Sequence, residues 1–198
     1  MARGTVDGYE PGALLGAHDA ALNAFGRLVH AVPRDGWHAA TPCTEWDVRD
    51  LVNHLVAEQL WVPPLLKGAT LAEVGDRYEG DVLGDDPVAA WDHAAAGALA
   101  AFGHPGALDR QVQLSYGLTS AAAYCAQMTA DAVVHSWDLA RGIGADDSLD
   151  PDLVRFTLRE MEPYADSLSG SGLFARPLSV PADADPQTRL LAMVGRRR

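Results

Sequence analysis

The first residues in this chain whose types and spacing could do chemistry are Asp131 and His135. On a helix, side chains at i and i+4 share a face with Cβ atoms ~5–6 Å apart, a gap that one metal ion can bridge. His54, set between Leu51 and Leu55, places a second imidazole near the apolar seam of another helix. If the two helices lie side by side, His54, Asp131 and His135 converge as two imidazoles and one carboxylate around a divalent cation, with positions left open for water or substrate. Spacing alone leaves a plainer reading open. An Asp–His pair on a helix surface can be an ion pair worth ~0.3–0.5 kcal/mol, and a lone His on a helix seam is more often a hydrogen-bonded core residue than a ligand.

Other residues carry weaker signals. Glu58, four residues after His54, reads as a fourth ligand or general base, or more simply as solvated helix charge. Asp138, three after His135, either orients an imidazole or pairs with Arg141 or Arg110. Tyr124 and Met128 continue the stripe of Asp131 and are most simply packing, and Trp46, Trp61 and Trp137 read as core or interface fillers. Cys43 has no basic neighbour or resolving cysteine in the sequence, so it reads as an inert thiol. His18, His30, His38, His93 and His104 share no ligand spacing, and no Gly-rich phosphate loop, Ser-His-Asp order or Cys-x-x-Cys occurs.

The elements that must position these residues are helices. Leu14, Leu15, Ala21, Leu22, Phe25, Leu28 and Val29 recur at helical spacing from about Pro11 to Val32, where Pro33 closes the segment. Thr44 stands as the N-cap of the next helix, with Asp47 three residues on, and Val48, Leu51, Val52, Leu55 and Leu60 follow as its apolar stripe. Pro63 and Pro64 predict a kink or early end there, because interior proline costs ~3 kcal/mol or more. Residues 67–86 read as loop, and Asp86-Pro87 as N-cap and first residue of a helix through Phe102. Gln111–Tyr116 alternates polar and apolar as a short strand does. A long helix, Ala-rich in its first half, then runs from Thr119 or Ser120 to about Arg141, ended by Gly142 and Gly144. Asp150-Pro151 opens another helix. The tail reads as an extended piece, Leu178 to Val180, and a small helix from Asp185-Pro186 to Gly195. Four long amphipathic helices with few strand signals predict an all-α bundle, with connections long enough for a topology other than up-down-up-down.

Composition narrows the partners. The 198 residues are 48% hydrophobic and 21% charged, which suits a single domain over 1–198 with a real core. Asp plus Glu number 27 against 15 Lys plus Arg, a formal charge of −12. Such a chain is repelled by phosphate backbones and anionic lipid, which disfavours nucleic-acid and membrane-surface binding, and the Arg196-Arg197-Arg198 tail is too short to reverse that. The uncharged run from Gln111 to Ala130 is broken by Gln, Ser, Thr and Tyr and does not suit a bilayer. No apolar leader is visible at the N-terminus, and the two cysteines make no disulfide framework, so a cytoplasmic protein is expected. Arg in place of Lys, with abundant Ala and Gly, suggests a GC-rich bacterial genome.

Three segments bring a resemblance. Thr41-Pro-Cys-Thr-Glu-Trp-Asp-Val-Arg-Asp-Leu-Val-Asn-His54 resembles the signature of the DinB/YfiT-like metal-binding superfamily, and in particular of actinobacterial proteins similar to the N-terminal domain of mycothiol-dependent maleylpyruvate isomerase. Asp131-Ala-Val-Val-His135-Ser-Trp-Asp-Leu-Ala-Arg141 resembles that family's second metal segment, and residues 180–195 its C-terminal segment. The resemblance implies a DinB-like four-helix bundle with a short β element and a small C-terminal helix, holding a divalent metal, zinc or nickel, at one end. It makes His54, Asp131 and His135 the metal ligands. Many superfamily members have His or Glu at the position of Asp131, whose shorter side chain must approach from nearer the helix or through water.

The function so implied is a divalent-metal-dependent enzyme that uses a low-molecular-weight thiol, mycothiol or similar, to transfer to or isomerise a small electrophilic substrate. The alternative is a non-catalytic metal- or small-ligand-binding bundle. The isomerase has a further C-terminal domain that a chain of this length is not expected to include, so isomerase activity is not assumed from the resemblance. The Ala-rich helix face suits a homodimer as readily as a core.

Overall fold

Acidic residues followed by proline start four of the helices, because the carboxylate accepts an orphan N–H while proline's fixed φ and missing N–H suit the first turn. The computed structural model describes residues 5–164 and 175–198, so residues 1–4 of the segment expected to carry no leader lie outside the described residues. Helix α1 spans Pro11–Ala31 with Glu10 as cap, α4 spans Pro87–Phe102 with Asp86, α6 spans Pro151–Met161 with Asp150, and α7 spans Pro186–Met193 with Asp185. Between α1 and α4 lie α2, Val48–Leu66, and the single turn α3, Leu71–Val74. Strands β1, Gln111–Leu114, and β2, Gly117–Ser120, form an antiparallel hairpin leading into α5, Ala121–Ile143. A 3-10 turn, Glu162–Tyr164, follows α6.

The fold is all-α with a minor β element, as the periodicities predict, and several boundaries shift for identifiable reasons. Helix α2 is capped by Asp47, not Thr44. Asp47 accepts from the Asp50 N–H (2.9 Å), and Asp50 accepts from the Asp47 N–H (3.1 Å), completing a capping box. Backbone bonds from Val48 N to Ala39 O and from Arg49 N to Trp37 O tie the first residues of α2 to the preceding segment. Pro63 and Pro64 lie inside α2, which ends only at Leu66. Their carbonyls take up the Lys67 N–H, so the prolines fall in the last turn, where little helix remains to break. The expected strand gains an unpredicted partner: Gly117, at φ +133, turns the chain so that Leu118 and Thr119 pair with Gln113 and Val112. Gly144 ends α5 in the left-handed region at φ +67. Residues 178–180 form no named strand; Leu178 N donates to Ala192 O at the end of α7.

The long helices close a ring. Helix α1 packs on α5, α5 on α2, α2 on α4 and α4 on α1, so the consecutive helices α1 and α2 occupy opposite corners. Helix α6 packs on α5, and α7 on α6. Inside the ring, Phe25 and Trp91 stack at 4.7 Å among Leu22, Leu51, Leu55 and Val133. Toward the hairpin, Leu14, Val62, Phe102 and Tyr124 form a second cluster. Helices α2 and α5 run in opposite directions: a methyl group on Gly142, near the end of α5, would lie 3.1 Å from Val48 at the start of α2. This antiparallel seam puts the first turns of α2 beside the last turns of α5.

Candidate metal centre

His54 stands two turns into α2 and His135 two turns before the end of α5, so the antiparallel seam brings them level. Their rings meet edge to face at 5.4 Å between centroids. Asp131, one turn before His135, reaches between them: Oδ1 lies 3.4 Å from His135 Nε2, and Oδ2 lies 3.5 Å from His54 Nε2. These separations are long for N–H···O hydrogen bonds. They match the separation of about 3.4 Å expected for two tetrahedral ligands each about 2.1 Å from one zinc-like ion. Asp131 Oδ2 is buried and makes no hydrogen bond, which in a protein interior calls for a missing partner. The donor set, two imidazoles and a carboxylate whose ligand atoms lie within 4.8 Å of one another, therefore fits a divalent cation. The short aspartate reaches because it sits on the same helix face as His135 and needs no extra methylene.

The electrostatics agree. Burial pushes the Asp131 carboxyl up, but the His135 and His54 imidazoles outweigh it and hold the group well below the usual carboxylate range. Burial likewise disfavours charge on His135, yet Asp131, Asp138 and Cys43 hold its pKa well above the ordinary value. The Asp131 and Asp138 carboxylates thus favour positive charge at His135, beside the position a cation would take.

Asp138, fully buried, accepts from His135 Nδ1 at 2.9 Å, which leaves Nε2 as the atom facing Asp131. Its other partner is neither Arg141 nor Arg110. Arg141 pairs with Asp147, and Arg110 donates to Leu66 O. Arg196, beyond α7, donates to Asp138 through Nε (2.7 Å) and a terminal nitrogen (2.6 Å). The same nitrogen lies 3.4 Å from Cys43 Sγ, and the thiol faces Asp138 Oδ2 at 3.4 Å. Cys43 therefore has the basic neighbour that the sequence did not reveal.

Trp46 packs against the core as a filler would, and its ring also lies tilted at 4.8 Å from His54 and 5.9 Å from His135, forming a wall of the site. Glu58 is not a solvated charge. It is half-buried on α2, and burial, then the Asp131 carboxylate, push its pKa up against the pull of the two imidazoles. Tyr124 and Met128 are buried packing, as expected. His18, His30, His38 and His104 stay apart, bonded to Thr129, Asp92, Asp47 and the Pro105 carbonyl. No spacing rule pointed to Trp46 or Arg196. The nearest signal was the need of an interior Asp138 for a counter-charge. A cleft of about 220 Å³ between α1, α5 and the 146–150 loop contains none of these site residues.

With this geometry in place, the chain can be compared with known proteins. The profile of the mycothiol maleylpyruvate isomerase N-terminal domain family matches residues 18–140, a stretch that includes His54, Asp131 and His135 and stops before Arg196. Two curated proteins of Mycobacterium tuberculosis, from strains CDC 1551 and H37Rv and both described as uncharacterized, are each 31% identical over 182 residues, covering 91% of this chain and 96% of the relative. No solved structure matches the chain.

Proposed function

The chain belongs to the mycothiol maleylpyruvate isomerase N-terminal domain family, and from that premise we propose that residues 1–198 form one domain that binds a divalent metal, zinc or nickel, through His54, Asp131 and His135, and uses a low-molecular-weight thiol of the mycothiol kind to transfer to or isomerise a small electrophile. The observation that carries this reading is the convergence of two imidazole nitrogens on the Asp131 carboxylate, one at each oxygen, with the buried Oδ2 lacking a hydrogen bond. A divalent ion in such a site supplies Lewis acidity, which lowers the pKa of a bound thiol or water.

The remaining roles fall to the chain's own side chains. Asp138 holds His135 by its Nδ1–H, so that Nε2 points to the ion position. Trp46 covers one side of both imidazoles and limits water there. Glu58, its pKa raised beside Asp131, can hold a proton at the edge of the site and give it to a substrate atom that gains charge. In a reducing cytoplasm Cys43 and Cys125 would remain thiols.

The test is elemental analysis of the purified protein and of His54→Ala and His135→Ala. Loss of bound metal in both variants supports the site, and unchanged content refutes it. Turnover of electrophiles with mycothiol, with and without chelator, then separates an enzyme from a non-catalytic metal-binding bundle: activity that ignores metal and thiol refutes the mechanism.

A further inference from the structure

A second group of potential ligands shares His135 with the first. Cys43, His135 and Asp138 also offer ligand atoms within 4.8 Å of one another, but through His135 Nδ1 rather than Nε2. A single imidazole thus stands between two clusters, one with two nitrogens and a carboxylate and one with a thiol. In the second, the cation is already present. The Arg196 guanidinium makes two bonds to Asp138, approaches Cys43 Sγ at 3.4 Å and donates to Val194 O at 3.0 Å, with only 9% of its side chain exposed. The backbone is built to deliver it. Gly195 takes φ +75, and a Cβ there would lie 2.5 Å from Ala175 Cβ, so this turn admits glycine alone. Arg196 N then donates to Leu191 O at 2.8 Å, pinning the residue to α7.

We propose that Arg196 is a positioning residue that selects the metal-binding face of His135: by filling the Cys43–Asp138 corner with a guanidinium, it fixes Asp138 on Nδ1 and confines a divalent cation to the Nε2 side with His54 and Asp131. The proposal rests on the metal site argued above and adds to it a residue outside the stretch matched by the family. Planarity matters to this role. A guanidinium forks onto both carboxylate oxygens and fixes the plane of Asp138, whereas an ammonium is a point charge that fixes neither. With the fork removed, the acidic and thiol groups of the second cluster face a space without a cation, and a soft thiolate-containing site competes for the metal.

The full chain, loaded with Co(II) as a spectroscopic probe, tests this by absorption and by chelator competition. Wild type should show ligand-field bands with no thiolate-to-cobalt charge-transfer band, and Cys43→Ser should leave its spectrum unchanged. Arg196→Met should bind Co(II) ~10–100-fold more weakly, the usual effect of losing a ligand's hydrogen-bonded support, and should gain a thiolate charge-transfer band that disappears in Arg196→Met/Cys43→Ser. An unchanged affinity, or no such band in Arg196→Met, overturns the proposal. Should Arg196→Met not fold, Arg196→Lys carries the affinity arm: it keeps the charge without the fork, so weakened binding is expected and wild-type binding refutes. His135→Ala separates the two levels of argument. If it still holds metal, the site itself is wrong; if it loses metal while the Arg196 variants bind like wild type, only the role of Arg196 falls.

Discussion

His18 gives the fold an acid-sensitive point whose size can be worked out. It is wholly buried on α1, and Nδ1 lies 3.0 Å from Thr129 Oγ1. That hydroxyl already donates its hydrogen to Cys125 O at 2.7 Å, so it must accept from His18 Nδ1–H. Nε2 is left with a lone pair and no partner, in a ring set edge-on to Phe102 at 5.2 Å. Protonating it would bury an uncompensated charge, and burial accordingly pushes the pKa down from 6.5 to about 4. As pH falls below 6.5 the unfolded chain takes up this proton while the folded chain refuses it until about 4, so stability is lost across that window and no further below it. The loss amounts to about 2 kcal/mol at pH 5 and about 3 kcal/mol at pH 4. That is a large share of the ~5–15 kcal/mol that holds most domains together. The perturbation is His18→Gln, which keeps an amide donor for Thr129 but cannot titrate. Urea unfolding of metal-free wild type and variant at pH 7, 5 and 4 reads the effect as a difference, in which contributions from Glu58, Asp131 and His135 cancel. The two stabilities should draw together, by the amounts above, as pH falls. Parallel pH profiles would refute the reasoning and place a partner on Nε2.

Three further outcomes follow from particular contacts. Because His135 holds its proton well above the ordinary range through Asp131 and Asp138, a cation must displace that proton, and metal affinity should rise about tenfold per pH unit between pH 6 and 8; chelator competition showing a flat profile contradicts it. Gly26→Ala would set a Cβ 2.8 Å from Trp91 Nε1, whereas a Cβ on Gly16 of the same helix meets nothing within 4 Å. Thermal unfolding should show a net loss of about 1 kcal/mol for Gly26→Ala, overpacking outweighing helix propensity, and a gain of up to about 1 kcal/mol for Gly16→Ala. Asp47→Ala removes the cap of α2 and the bond to His38 and should cost about 1 kcal/mol, while Thr44→Ala should be nearly neutral; equal effects on Tm would return the cap to Thr44.

What the sequence settles by itself is local and periodic. The apolar spacing of α1, α2 and α5, the Asp-Pro starts at 86, 150 and 185, and the glycine stop at 144 depend on interactions within a few residues, which the order of amino acids encodes directly. The i, i+4 spacing likewise commits Asp131 and His135 to one helix face whatever surrounds them. The cap of α2 was harder to read, because Thr44 and Asp47 are both good N-caps and only pairing with residues 37–40 decides between them. Across helices, the sequence has no ruler. That His54 stands level with His135 follows from α2 and α5 being antiparallel neighbours, while the consecutive α1 and α2 sit at opposite corners. Trp46, Glu58 and Arg196 join the site for the same reason. Trp46 and Glu58 lie near His54 in the sequence, but their contacts with His135 and Asp131 cross from α2 to α5, and Arg196 and Asp138 are 58 residues apart; such contacts exist only after the helices have packed and excluded the water that would otherwise solvate each charge alone.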